Sequence, residues 1–193
     1  MVVLLAGLIL FLGTHSIRIG AEGTRDALIA RLGPLAYKGV YSLVSLVGLV
    51  LIVKGYAAAR ETPVELWPAW SAGRHVAALF TLLAFILWVA AYVPRNSIKM
   101  KLRHPMVLGV KVWALGHLVA NNSLADALIF GGFLLWAVMN FRAARQRDRA
   151  GGSLPASVRS RWADALTLGI ALLAYWAVAF HLHASLIGVR PFG

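Results

Sequence analysis

Six apolar stretches divide the chain, at about Met1 to Ile19, Lys38 to Ala59, Arg74 to Val93, His104 to Ala120, Ser123 to Asn140 and Trp162 to Val189. A hydrocarbon core about 30 Å thick takes roughly 20 apolar residues of helix, and fewer where flanking side chains snorkel. The pattern predicts six transmembrane helices. The fold class is therefore an all-α integral membrane protein, with residues 1–193 forming a single transmembrane domain. The first stretch lacks a basic leader and runs into the polar, basic Thr14-His15-Ser16-Ile17-Arg18, so it reads as a retained helix and not a signal peptide.

Polar residues between the stretches set the expected orientation. Arg18, Arg25, Arg31 and Lys38 flank the first gap, Arg95, Lys99, Lys101 and Arg103 the third, and Arg142, Arg145, Arg147, Arg149, Arg159 and Arg161 the fifth. Fourteen of the 19 basic residues thus fall on one side, which the positive-inside rule makes cytoplasmic. Both termini are then expected outside, on the periplasmic face. The second gap holds Trp67, Pro68 and Trp70, suited to the headgroup level. Ser123-Leu124-Ala125-Asp126 has capping-box spacing after a tight turn, so the fourth and fifth helices are expected as an antiparallel hairpin. Residues 141–161, with Gly151-Gly152-Ser153 and Pro155, read as a basic, flexible cytoplasmic loop against anionic lipid, ahead of a final helix at 162–189.

Composition narrows the chemistry. The chain is 60% hydrophobic with a mean hydropathy of +0.76, so its net charge of +12 is read as a topology signal and not as a nucleic-acid surface. Zero cysteines exclude thiolate clusters, c-type haem attachment, disulfides and a Cys nucleophile. All seven acidic residues lie in gaps or first turns, which argues against a mid-membrane proton relay. A bound metal would have to be held by histidine.

Depth sorts the six histidines. His15 and His104 belong to the inner level; His75, His117, His181 and His183 belong to the outer level. Ligands from facing helices at such levels are how bundles hold haem b. His104 and His117 lie 13 residues apart, about 19 Å of rise and about 140° of rotation, and cannot ligate one iron. Small Gly109 and Gly116 beside His117 admit either a neighbouring helix or a flat macrocycle. His104 either ligates or caps its own helix, and His75, His181 and His183 also suit plain interfacial roles. Lys111 either meets an anionic group such as a propionate or pairs with a backbone carbonyl. Lys54 snorkels outward. Ser42, Ser45 and Gly48 read as a helix contact stripe. No pattern assigns a catalytic residue.

Gly13-Thr14-His15-Ser16-Ile17-Arg18, Lys38-Gly39-Val40-Tyr41-Ser42-Leu43-Val44-Ser45-Leu46, Phe85-Ile86-Leu87 with Ala90-Ala91-Tyr92-Val93-Pro94, and Lys101-Leu102-Arg103-His104-Pro105 through His117-Leu118-Val119-Ala120-Asn121 resemble the NnrU family of bacterial inner-membrane proteins. The resemblance runs from about Leu10 to Asn140, with an NnrU-like core over about 1–140. That family is linked to denitrification, through nitrite and nitric oxide reduction. Its domain is similar to that of zeta-carotene isomerase, a haem b membrane enzyme that isomerises a cis double bond when its iron is reduced. The resemblance implies haem b, with His15 and His117 as axial ligands, and His104 as a third motif histidine. Their expected depths conflict, so pairings of His15 with His104, or of His117 with His75 or His181, stay open. The leading expectation is a redox-linked haem protein of the bacterial inner membrane, with an apolar polyene substrate or a redox partner and no nucleic acid. A small anion permease using Lys111 and Lys54, or a non-catalytic assembly or regulatory factor, are the alternatives.

Overall fold

In a computed structural model, residues 1–151 and 158–192 are described, and among them the regular structure is helical. The helices are α1 (Val2–Gly20), α2 (Glu22–Leu32), α3 (Pro34–Ala59), α4 (Gly73–Tyr92), α5 (Ser97–Leu102), α6 (Pro105–Ala120), α7 (Leu124–Ala150) and α8 (Arg161–Ala177). A π-helical turn, Val178–Leu182, then leads into α9 (His183–Ile187). Five helices are long and apolar enough to cross a membrane: α1, α3, α4, α7, and α8 continued to Ile187. The remaining expected span, α6, has 16 residues, about 24 Å of rise against a core of about 30 Å.

The segment boundaries differ from the expected ones where charge reads as loop. Part of the first gap is itself helix, α2, and Pro34 opens α3 four residues before Lys38. Phe141–Ala150 continues α7 instead of starting a loop, because Arg and Ala are good helix formers and α7 simply projects beyond the apolar stretch. Of the expected flexible loop, residues 152–157 lie outside the described residues. The hairpin between α6 and α7 forms as the sequence predicts. Ser123 Oγ accepts from the Asp126 amide while the Asp126 carboxylate accepts from the Ser123 amide, a complete capping box.

Packing runs in an arc. α3 packs on α1, α1 on α7, α7 on α6, α6 on α4 and α4 on α8. Glycines set the two tightest seams. A Cβ on Gly7 would stand 2.6 Å from the Ile52 amide, one on Gly48 2.9 Å from that of Phe11, and one on Gly55 would collide with Leu4. The α1–α3 seam thus runs through Gly48, Ile52, Gly55 and Ala59 on one helical face; of the expected Ser42–Ser45–Gly48 stripe, Gly48 lies in it, Ser45 Oγ is buried and Ser42 is exposed. Gly109 and Gly116 take the side chains of Trp88 and Phe80, so the neighbour that they admit is α4.

The two ends of the bundle differ. At one, Leu66 N donates to Asn122 O and Leu124 N to Val64 O, both at 2.8 Å, joining the Trp-rich loop to the α6–α7 turn. At the other, Ser97 N donates to Asp164 Oδ1 at 2.6 Å and Ser160 N to Arg95 O at 3.0 Å. Arg18, Arg103, Arg145 and Arg147 gather at this second, basic end, where Arg147 Nη1 donates to Arg18 O.

Candidate functional site

The arc leaves a gap between its first and last members, and a cavity of about 380 Å³ fills it. Its walls come from α3 (Leu49, Ile52, Tyr56), α4 (Phe85, Trp88), α6 (Trp113, His117), α7 (Phe130, Phe133) and the C-terminal segment (Val178, His183). A smaller chamber of about 200 Å³ shares His117 and His183 and adds Arg74, Tyr175 and Arg190. On the rim, Leu49, Val53 and Leu186 are exposed, so the larger cavity reaches the apolar outer surface between α3 and α9. One polar contact bridges that mouth: Arg60 Nη1 donates to Ile187 O at 2.7 Å.

His117 is fixed by its own helix. The Trp113 carbonyl, one turn back, lies 3.0 Å from Nδ1, and a carbonyl only accepts, so Nδ1 carries the proton. In the neutral ring Nε2 is then left with a lone pair, the state in which imidazole binds a metal. Trp113 and Phe130 wall the ring at centroid distances of 5.2 and 4.9 Å. His183 has the same arrangement, with Nδ1 donating to Val189 O at 2.7 Å. Asn121 Nδ2 donates to His117 O, pinning the end of α6.

Of the outer histidines, the sequence names His75 and His181 as alternates, whereas the one that lines the cavity with His117 is His183. The π-helical turn decides between His181 and His183, because its five residues add one position to the i→i+4 ladder and rotate the rest of the helix. His183 thereby lines the cavity, while His181 is exposed, edge-on to Trp176 at 4.6 Å. Such a turn leaves no compositional mark. His75 is exposed as well, its Nε2 accepting from Arg74 Nε at 3.5 Å.

His15 occupies a separate cavity of about 330 Å³, near the basic end. Its Nδ1 donates to Phe11 O at 2.7 Å, and its ring stacks on Phe11 at 4.2 Å and meets Trp136 at 6.1 Å. His117 meets α7 at Phe130. Phe130 and Trp136 are six residues apart, about 9 Å along the helix axis. His15 and His117 line different cavities. Two buried polar atoms in the bundle, Ser45 Oγ and Trp136 Nε1, have no hydrogen-bond partner among the described residues.

His104 begins α6 without capping it through its side chain; instead its Nε2 lies 3.0 Å from Asp148 Oδ2 on α7. Lys111 sits over the Phe141 ring, its Nζ 5.0 Å from the centroid, and Phe141 also meets His104 edge-on at 6.1 Å. Lys54 is exposed on α3. No group of three or more His, Cys, Asp or Glu side chains able to hold a metal ion occurs among the described residues. An imidazole pair is the richest metal-ligand set that the large cavity offers.

A family model described as NnrU protein matches residues 3–191. The chain belongs to the NnrU family. The match includes α8 and α9, so the NnrU domain takes in the final helix and His183 as well as the stretch up to Asn140. No curated protein and no solved structure matches significantly.

Proposed function

We propose that this NnrU-family chain is a haem b protein of the bacterial inner membrane, with His117 as one axial ligand in the large cavity and His183 as the other. One observation carries the reading: both histidines line the same cavity, and each has its Nδ1 committed to a backbone carbonyl, leaving Nε2 for iron.

The surroundings fit a macrocycle with acidic side arms. Phe85, Trp88, Trp113, Phe130 and Phe133 offer flat apolar walls, and Arg74 and Arg190 line the adjoining chamber, where carboxylates would find guanidinium partners. The resemblance pairs His117 with His15 instead. His183 is preferred because it lines the same cavity as His117, whereas His15 lines another.

Bound haem would supply a reversible one-electron change at its iron. The chain holds and orients it: the Trp113 carbonyl sets the His117 ring, the Val189 carbonyl sets the His183 ring, and aromatic walls exclude water. The cavity is lined mainly by apolar residues and its rim is exposed and apolar, which favours a membrane-dissolved, carotenoid-like polyene with a cis double bond as the substrate class. A haem-loaded, reduced sample is expected to turn over such a polyene, and no turnover would discard that activity while leaving the haem assignment intact.

The deciding measurement is an oxidised and reduced absorption spectrum of protein expressed with ample haem, with a pyridine haemochrome assay. A Soret band that His117→Ala abolishes and His75→Ala preserves is expected. Its absence from the wild type would overturn the haem reading. Electron paramagnetic resonance then separates the two pairings. His183→Ala should convert a low-spin ferric signal to a high-spin one, whereas that effect from His15→Ala alone would return the second ligand to α1.

A further inference from the structure

The cavity beside His15 has a character of its own. It opens between the end of α1, the short α2 and the first turns of α3, and Arg18, Arg25, Lys38, Tyr37, Tyr41 and Ser42 line it. No acidic side chain is among its lining residues. Of the nearby carboxylates, Asp26 pairs with the lining Arg25 at 2.9 Å and so neutralises that cation, and Glu22 pairs with Arg147 of α7 at 3.2 Å. Arg18 and Lys38 make no ion pair among the described residues. Two cations and several hydroxyl donors thus surround a volume of about 330 Å³ that holds no compensating charge of its own.

An apolar track leads away from it. Lys38, Ser42, Leu46 and Leu49 succeed one another at i+4, i+8 and i+11 on α3, and Leu46 and Leu49 are 58% and 43% exposed. A ligand seated among the cations would have its tail against this stripe. We propose that the cavity binds the phosphate headgroup of an anionic glycerophospholipid, with an acyl chain along Leu46 and Leu49. A zwitterionic headgroup fits less well, because its ammonium would meet Arg18 and Lys38 with no carboxylate among the lining residues to receive it. Free phosphate would make the same polar contacts but would leave the apolar track uncovered.

Phosphatidylglycerol and phosphatidylcholine in equal amounts, supplied in nanodiscs, test the site. Protein extracted into mild detergent is analysed by native mass spectrometry for retained lipid. Wild type should keep phosphatidylglycerol in preference. Arg18→Gln and Lys38→Gln should each weaken retention by about fivefold and more together, since one basic residue near an anionic surface contributes about 1 kcal/mol. Arg149→Gln, on an exposed turn at the end of α7, should retain lipid as the wild type does. Equal retention of both lipids, or wild-type retention by the double variant, would overturn the site. Displacement of the lipid by millimolar inorganic phosphate would reduce it to a free-anion site and overturn the lipid assignment. Each single variant is read beside its thermal melt, and Lys38→Gln, at an exposed position, keeps the test decisive should the double variant misfold.

Discussion

Tyr56 Oη donates a 2.6 Å hydrogen bond to Asp126 Oδ1, joining the C-terminal part of α3 to the first turn of α7 across 70 residues of chain. The same carboxylate accepts from Ser123 N and Ser123 Oγ, and Asp126 is only 6% exposed. It therefore caps its own helix and holds a helix with which α7 does not otherwise pack closely. Asp126→Ala would remove a cap and leave the Tyr56 hydroxyl and the Ser123 donors without an acceptor, a loss of about 2–3 kcal/mol. Tyr56→Phe removes one bond and should cost about 1 kcal/mol. Equilibrium unfolding in mixed micelles checks both, and equal costs for the two variants would contradict the shared role.

The α1–α3 seam makes a sharper test, because glycines on one helix differ in what surrounds them. A methyl on Gly55 would run into the Leu4 backbone, whereas one on Gly39 meets nothing within 4 Å. Gly55→Ala should destabilise by about 1–3 kcal/mol as the helices are forced apart. Gly39→Ala on the same helix should be neutral or stabilising by up to about 1 kcal/mol, through helix propensity alone. Thermal melts in detergent distinguish them.

His104 and Asp148 mark where sequence reading and structure part. The residue types at the start of α6 suggest a ligand or a cap, and neither needs a partner 44 residues away. In the folded chain Asp148 also lies 3.6 Å from Arg103 and 3.8 Å from Arg145, so the histidine belongs to a polar cluster that ties α6 to the projecting end of α7. His104→Ala should leave any haem spectrum unchanged and lower the melting temperature modestly. Asp148→Asn should lower it similarly, and the double variant should add little to either. Additive losses would show that the pair is not coupled.

Apolar length makes the helical membrane fold legible, and Ser123 with Asp126 announces the α6–α7 turn because capping is a local, four-residue event. Other features depend on partners far away in sequence. The basic run after Asn140 looks like loop if charge is taken to end a helix, but a helix that leaves the membrane can carry Arg145, Arg147 and Asp148 as easily as a loop can. Small residues alone find Gly48 on the α1–α3 contact face but add the exposed Ser42, and they do not show that the face runs on to Gly55, where the approach of Leu4 sets it. His15 and His117 are visible as candidates in the sequence, and so is their difference in depth. The position of His183 is not, since it depends on one extra residue in a helical turn.

That extra residue can be removed. Deleting Phe180, which is 54% exposed, shortens the turn between Ala177 and His183 by one residue and lets α8 continue with ordinary i→i+4 bonding. Because the π turn absorbs one extra position, its removal leaves everything beyond it nearly in register with α8. The helix itself should gain regularity, so secondary structure measured by circular dichroism is expected to persist. His183 and the Val189 carbonyl that holds its Nδ1 should keep their places at the cavity. The deletion should therefore keep the low-spin ferric signal that His183→Ala loses. Conversion to high spin with unchanged circular dichroism would show that register does not set His183 at the cavity.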